Sequence, residues 1–212
     1  MPFTTPILQA QELSFRHGPP PAPLLFDKLK LSLPPGVSWL GGNESSGKTT
    51  LLQLLAGALA PASGQLQING VSLAQERAAY QRQIAWLDPR DTALDARTCR
   101  QVFAEMARRH PGFDAGVLEA HIDGLSLAPH LEKTLAMLST GTRRKVLMAA
   151  VLATQAPLTL LDQPFMALDR PSIAYLLALL DEAARHRSRA WVVADYEAPE
   201  GVALAGVITL GT

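Results

Sequence analysis

Gly42-Asn43-Glu44-Ser45-Ser46-Gly47-Lys48-Thr49 fits the pattern G-x-x-x-x-G-K-[ST] at every fixed position. The apolar run Val37 to Leu40 precedes it and reads as a buried strand. Gly47 to Ala60 follows, with Leu51, Leu54, Leu55 and Leu59 at helical spacing and Pro61 as a stop. Strand, glycine- and serine-rich turn, then helix is a chain path that aims backbone N–H groups inward, with the positive end of the helix dipole behind them. Such a concavity cradles phosphate oxygens. In it Lys48 reaches the β- and γ-phosphates and the Thr49 hydroxyl can ligate Mg²⁺. The phosphate-binding set is therefore read as Gly42, Asn43, Glu44, Ser45, Ser46, Gly47, Lys48, Thr49 and Thr50.

Working outward, the next anchor is Pro157 to Asp162, an apolar strand that ends in a carboxylate. Open α/β sheets bind ligands at the carboxyl ends of their strands. Paired with the phosphate loop, Asp162 is read with Thr49 as the Mg²⁺-holding pair. Further strands are expected at Ile7–Phe15, Leu24–Leu33, Gln65–Asn69, Ile84–Leu87, Ala190–Ala194 and Val207–Leu210. Helices are expected at Thr140–Ala153 and at Ser172–Arg187, the latter with Pro171 at its start. From Thr98 to Leu138 the pattern is helical, interrupted at Pro111-Gly112, Gly124 and Pro129. The expected fold is α/β: a largely parallel, doubly covered P-loop sheet, an N-terminal antiparallel β portion, and a helical subdomain inserted at about residues 90–140. We read residues 1–212 as one domain.

Composition sets limits on partners. Lys+Arg and Asp+Glu are both 19, so the formal net charge is zero, and a general polyanion binder such as a nucleic-acid-binding protein is not expected. The lone cysteine, Cys99, rules out an intramolecular disulfide. Met1 to Ala10 lacks the basic and apolar regions of a secretory signal. The longest uncharged run, Val146 to Leu161, is broken by Gln155 and Pro157 and reads as a buried helix followed by a buried strand, since a membrane span needs about 20 apolar residues. Membrane contact would then come through a partner.

Beyond the phosphate loop and Asp162, the chain resembles the ABC ATPase family. Leu138-Ser139-Thr140-Gly141-Thr142 resembles the family's LSGGQ signature opening a helix, and Leu168-Asp169 resembles its D-loop. Ser63-Gly64-Gln65 to Asn69-Gly70 resembles the strand turn that follows the P-loop helix. The likeness runs from about Leu8 to Leu210, with its elements in the family's order. It implies two nucleotide-binding domains head to tail, as a homo- or heterodimer, with ATP and Mg²⁺ at their interface. It implies that Ser139 and the Gly141 N–H face the γ-phosphate of ATP held by the opposite subunit. It also implies a cytoplasmic position, peripheral to the inner face of the membrane, and coupling to a transmembrane permease through the segment near Leu87 to Asp91.

The departures from the family pattern fall at the chemistry. Gln163 stands where the family has the glutamate that polarises the attacking water, and Asp195 where it has a switch histidine. An amide orients a water but takes no proton. We therefore expect an ATPase with slow or impaired turnover, or a non-hydrolysing regulatory ATP-binding module, with Gln163 and Asp195 as the residues that decide. Asp88-Pro89-Arg90 occupies the Q-loop register and contains no glutamine. The base-stacking aromatic aligns with His17, with Phe15 packing inward. Glu44-Ser45 replaces the usual Asn-Gly of the loop, and Thr140 and Thr142 replace Gly and Gln of the signature. Elsewhere, His110, His121, His130 and His186 read as surface residues, Arg143-Arg144-Lys145 as a solvated face beside the signature helix, with assistance to phosphate across the interface as the alternative, and Trp39, Trp86 and Trp191 as strand residues in the core.

Overall fold

Two sheets organise the chain in a computed structural model that describes residues 5–211. Residues 1–4, part of the N-terminal stretch read above as lacking a secretory signal, and Thr212 lie outside the described residues. In chain order the elements are β1 (Leu8–Phe15), β2 (Phe26–Leu33), β3 (Gly36–Gly41), α1 (Lys48–Leu55), β4 (Ser63–Ile68) and β5 (Val71–Ser72). Then come α2 (Arg77–Gln81), β6 (Ile84–Ala85), α3 (Cys99–Arg109), α4 (Ala115–Gly124), α5 (Thr140–Leu152), β7 (Leu158–Asp162), α6 (Arg170–Ala184), β8 (Ala190–Ala194) and β9 (Leu204–Thr209).

The first sheet is antiparallel, in the order β2-β1-β4-β5. The second is parallel, in the order β6-β7-β8-β3-β9. This is the α/β arrangement expected, with an antiparallel portion beside a parallel core. The parallel strands alternate between two apolar layers, as the two-residue period of a strand requires. In β8, Ala190, Val192 and Ala194 join α1 and the antiparallel sheet, while Trp191 and Val193 join α5, α6 and the helical segment. Both faces are covered, so β7 and β8 are buried at every residue. Helix α5 is buried from Arg144 to Leu152, more than one stripe wide, because it lies between the sheet and α3 and α4.

The caps explain where the helices start. Thr98 and Gln101 form a capping box on α3, Asp114 caps α4, Ser139 caps α5 and Asp169 caps α6. Helix α1 ends at Leu55, earlier than the apolar spacing suggested, because Gly57 turns the chain out at φ 67°. Two short elements had no period to reveal them: β5, which pairs with β4 across the Asn69-Gly70 turn, and α2.

Several expectations need correction. His110 and His121 are buried, at 6% and 5% exposure. The Nδ1 of His121 lies 2.9 Å from the Tyr175 hydroxyl, whose own proton goes to the Ala120 carbonyl at 3.1 Å. Burial pushes the imidazole pKa down. The Arg143-Arg144-Lys145 stretch is no solvated face. Arg144 and Lys145 are buried, Lys145 pairs with Asp169, and Arg143 pairs with Asp95. Of the tryptophans only Trp191 is fully in the core. Trp39 is half-buried on β3, and Trp86 is half-buried just beyond β6.

Candidate functional site

Helix α1 begins without a side-chain cap. Gly47 occupies the N-cap position in the left-handed region, at φ 94°, and no side chain takes the first-turn N–H groups. Where α5 and α6 satisfy those donors with Ser139 and Asp169, α1 leaves them for a ligand. The loop is compressed against its neighbours: a Cβ on Gly42 would sit 2.5 Å from Ser46 Oγ, and one on Gly47 3.0 Å from the Phe26 ring. Ser45 takes φ 61°, a conformation that suits glycine better than a residue with a Cβ.

The loop opens onto a cleft of about 710 Å³. Glu44 to Thr50 and His17 line one side of it, and Arg90, Thr140, Arg144, Gln163, Met166 and Tyr196 line the other. Lys48 is buried, and its Nζ donates to the Gly42 and Asn43 carbonyls at 2.6 and 2.8 Å. Burial lowers its pKa, against the opposing pull of Asp162, Asp195 and Glu44. Thr49 Oγ1 donates to Asp162 Oδ2 at 2.7 Å, so the two residues read as a cation-holding pair are brought together across the sheet edge. The second oxygen, Asp162 Oδ1, is buried with no hydrogen-bond partner, and burial raises the pKa of this carboxyl. A hydroxyl beside a desolvated carboxylate with a spare oxygen is an oxygen donor set that suits Mg²⁺.

His17 lines the cleft, its Nε2 3.3 Å from Thr50 Oγ1 and its ring edge-on to the buried Phe15, with centroids 5.0 Å apart. Phe15 packs inward as expected. Gln163 is 7% exposed and lines the cleft, with its backbone at φ 47° and its N–H on the Ala194 carbonyl. Asp195 follows β8 directly, and one of its carboxylate oxygens accepts the Tyr196 N–H at 2.8 Å. Burial raises its pKa. Ser139 Oγ accepts the Thr142 N–H at 3.2 Å. A Cβ on Gly141 would lie 2.2 Å from the Ala167 carbonyl, so the start of α5 rests directly on the backbone of the segment before α6. Within one chain, Thr140 borders the cleft while Ser139 and Gly141 sit beside it. Asp88 accepts from Gln53 Nε2 at 3.2 Å.

Sequence reasoning missed Tyr196 here, and placed Arg144 on a solvated face or, as the alternative, across a dimer interface. Tyr196 lines the cleft, half exposed, with Lys48 Nζ 4.4 Å from its ring centroid. Arg144 lines it from inside the protein. A single aromatic after a strand and one arginine in a basic triplet carry no sequence signal for such positions.

The model of one protein family, described as ABC transporter, matches residues 26–166. That stretch holds the phosphate loop, the Ser139 helix and Asp162. The chain belongs to the ABC transporter family. Its relatives include the cytochrome c biogenesis ATP-binding export protein CcmA of Pseudomonas syringae pv. syringae (strain B728a), 32% identical over 86% of this chain and 85% of that protein. The protein of the same name from Rhodospirillum rubrum is 36% identical over 80% of this chain and 71% of its own length. Among solved structures, an ATP-binding subunit of an ABC transporter superposes with a TM-score of 0.76 at 23% identity, over 89% of this chain and 79% of that one. A dimeric ATP-binding cassette in a post-hydrolysis state, bound to ADP and phosphate, gives 0.72 at 19% identity, over 90% and 88%. The fold is that of this family's nucleotide-binding domains. Among the described residues no helix is long and apolar enough to cross a membrane.

Proposed function

We propose that this chain is the ATP-binding subunit of an ABC transporter that clamps Mg-ATP strongly and hydrolyses it slowly. The observation that carries the reading is the joined pair Thr49–Asp162 beside Lys48, with one buried carboxylate oxygen free. Thr49 and Asp162 would hold Mg²⁺, which when bound neutralises phosphate charge. Lys48 exchanges its two carbonyl acceptors for phosphate oxygens, a stronger charge-assisted pairing. His17 stacks on the base. Gln163 orients a water without taking its proton, and losing such a base costs about 10²–10⁴-fold in rate.

The head-to-tail dimer is part of the proposal: Ser139 and Gly141, beside the cleft in their own chain, are free to face a partner's ATP. Closure of that dimer then drives a transmembrane partner from the inner face of the membrane, with residues 90–140 as the coupling subdomain of a single domain. The shared name of the curated relatives, an ATP-binding export protein of cytochrome c biogenesis, supports an export role. A second reading, a non-hydrolysing regulatory module, is favoured by Gln163 together with Asp195.

The test is Mg-ATP binding and steady-state phosphate release by this chain, by Gln163→Glu and by Lys48→Ala. Binding with turnover near the Lys48→Ala blank, restored by Glu, is the expected result. Turnover well above that blank in the unaltered chain makes it a working motor. Absence of ATP binding overturns the reading.

A further inference from the structure

Three consecutive basic residues open α5, and they are treated differently. Arg143 pairs with Asp95, and Lys145 pairs with Asp169. Arg144, 8% exposed, has no carboxylate within ion-pair distance among the described residues. Its Nη1 donates to the main-chain carbonyls of Asp162 and Gln163 at 2.8 and 2.7 Å. A guanidinium has five N–H donors. Here Nη2 meets only the Met166 thioether at 3.5 Å, and Nε is buried with no acceptor at all. Asp162 and Asp195 favour the guanidinium from beyond ion-pair distance, but a buried cation without a direct carboxylate partner is still unfavourable, and this one lines the nucleotide cleft. Arg90 lines the same wall, exposed, and its charge opposes that of Arg144. What Arg144 brings to an entering anion is therefore a set of guanidinium donors without acceptors.

We propose that Arg144 is a terminal-phosphate-binding residue acting within its own chain. Its unpaired guanidinium donors take the γ-phosphate of ATP, and through them the cleft distinguishes a nucleoside triphosphate from a diphosphate. The proposal rests on the reading of the cleft as an ATP site and adds a residue to it. Planar, fixed donors suit a phosphate better than a lysine's single point charge. The same side chain ties Gln163, through its carbonyl, to the site of the terminal phosphate.

The alternative is that Arg144 only braces the backbone of Asp162 and Gln163, which would affect both nucleotides alike. The experiment is titration of the full chain with ADP and with a non-hydrolysable ATP analogue, in the wild type and in Arg144→Gln, which keeps a donor for the carbonyls but no charge. The expected result is an affinity for the triphosphate lowered about tenfold or more, with ADP changed less than about twofold. Equal losses for both nucleotides, or no loss for either, overturn the proposal. A second measurement reads the wild type directly: ¹⁵N spectra of its arginine side chains, with Arg144 assigned by its absence in Arg144→Lys. The Arg144 guanidinium resonances shift with the triphosphate analogue and not with ADP if the proposal holds. The same shift with both, or none with either, overturns it. A wild-type chain that binds neither nucleotide removes the underlying reading as well, an outcome distinct from a lost preference.

Discussion

The two walls of the cleft differ in how far their polar groups are committed. On the phosphate-loop wall, Lys48 donates to two carbonyls, Thr49 is bonded to Asp162, and every fixed position of the loop pattern is present. On the opposite wall Gln163 offers an amide where a base would act, Arg144 has donors without acceptors, and the Asp195 carboxyl behind them is held above its usual pKa by burial. On the proposed reading the first wall is a network organised to hold an anion and a cation. The second keeps the geometry of a reactive end while its residue types have changed. On that same reading binding and turnover are separable in this molecule, because the phosphate-holding groups follow β3 while the groups that would activate water follow β7 and β8.

Restoring a base gives the sharpest break. Gln163→Glu is expected to raise phosphate release by about 10²-fold or more with little change in ATP affinity, read by steady-state kinetics. The backbone there already accepts φ 47° with a side chain of the same length, so the variant carries no new strain. An unchanged rate would move the defect to Asp195. On the other wall, Lys48→Ala is expected to lower ATP affinity about 100-fold, roughly 3 kcal/mol for a lost charge-assisted contact, measured by equilibrium titration. A loss below threefold would mean that the loop N–H groups alone hold the phosphates.

Asp195→Asn sharpens the comparison through pH. Burial raises the folded-state pKa of Asp195 above its unfolded value of about 3.9, so the ionised group destabilises the fold. That penalty is absent below about pH 4, where the group is protonated folded or unfolded, and it grows as pH rises through the folded value. The variant is therefore expected to raise Tm by about 2–4 °C at pH 7, and the gain should vanish below about pH 4. A gain independent of pH would point to packing instead. The smallest effect belongs to the loop itself. Ser45→Gly relieves a left-handed residue at φ 61° and is expected to add about 1 kcal/mol in denaturant unfolding, with ATP affinity unchanged.

The walls also differ in how legible they were. The Gly42–Thr49 loop and Asp162 could be read because a phosphate cradle needs particular residue types at fixed spacing and a strand before a helix, all local properties. The parallel order β6-β7-β8-β3-β9 followed in outline from alternating strands and helices, though α2 and β5 are too short to carry a period. His121 looked like a surface residue because its helix has polar neighbours, and only the packing of Tyr175 against it removes it from water.

By itself the sequence determined the fold family, the phosphate loop, and the substitutions at 163 and 195, since each is a matter of residue type at a local spacing. Only the tertiary structure decided which of three adjacent basic residues is left without a direct ion-pair partner, that Tyr196 covers Lys48, and that Asp162 keeps a free buried oxygen. The physical reason is that charge pairing and desolvation depend on which distant segments meet. Arg143 finds Asp95 and Lys145 finds Asp169 across the fold, while Arg144, between them in sequence, turns toward the end of β7 and finds two backbone carbonyls and a thioether instead of a carboxylate.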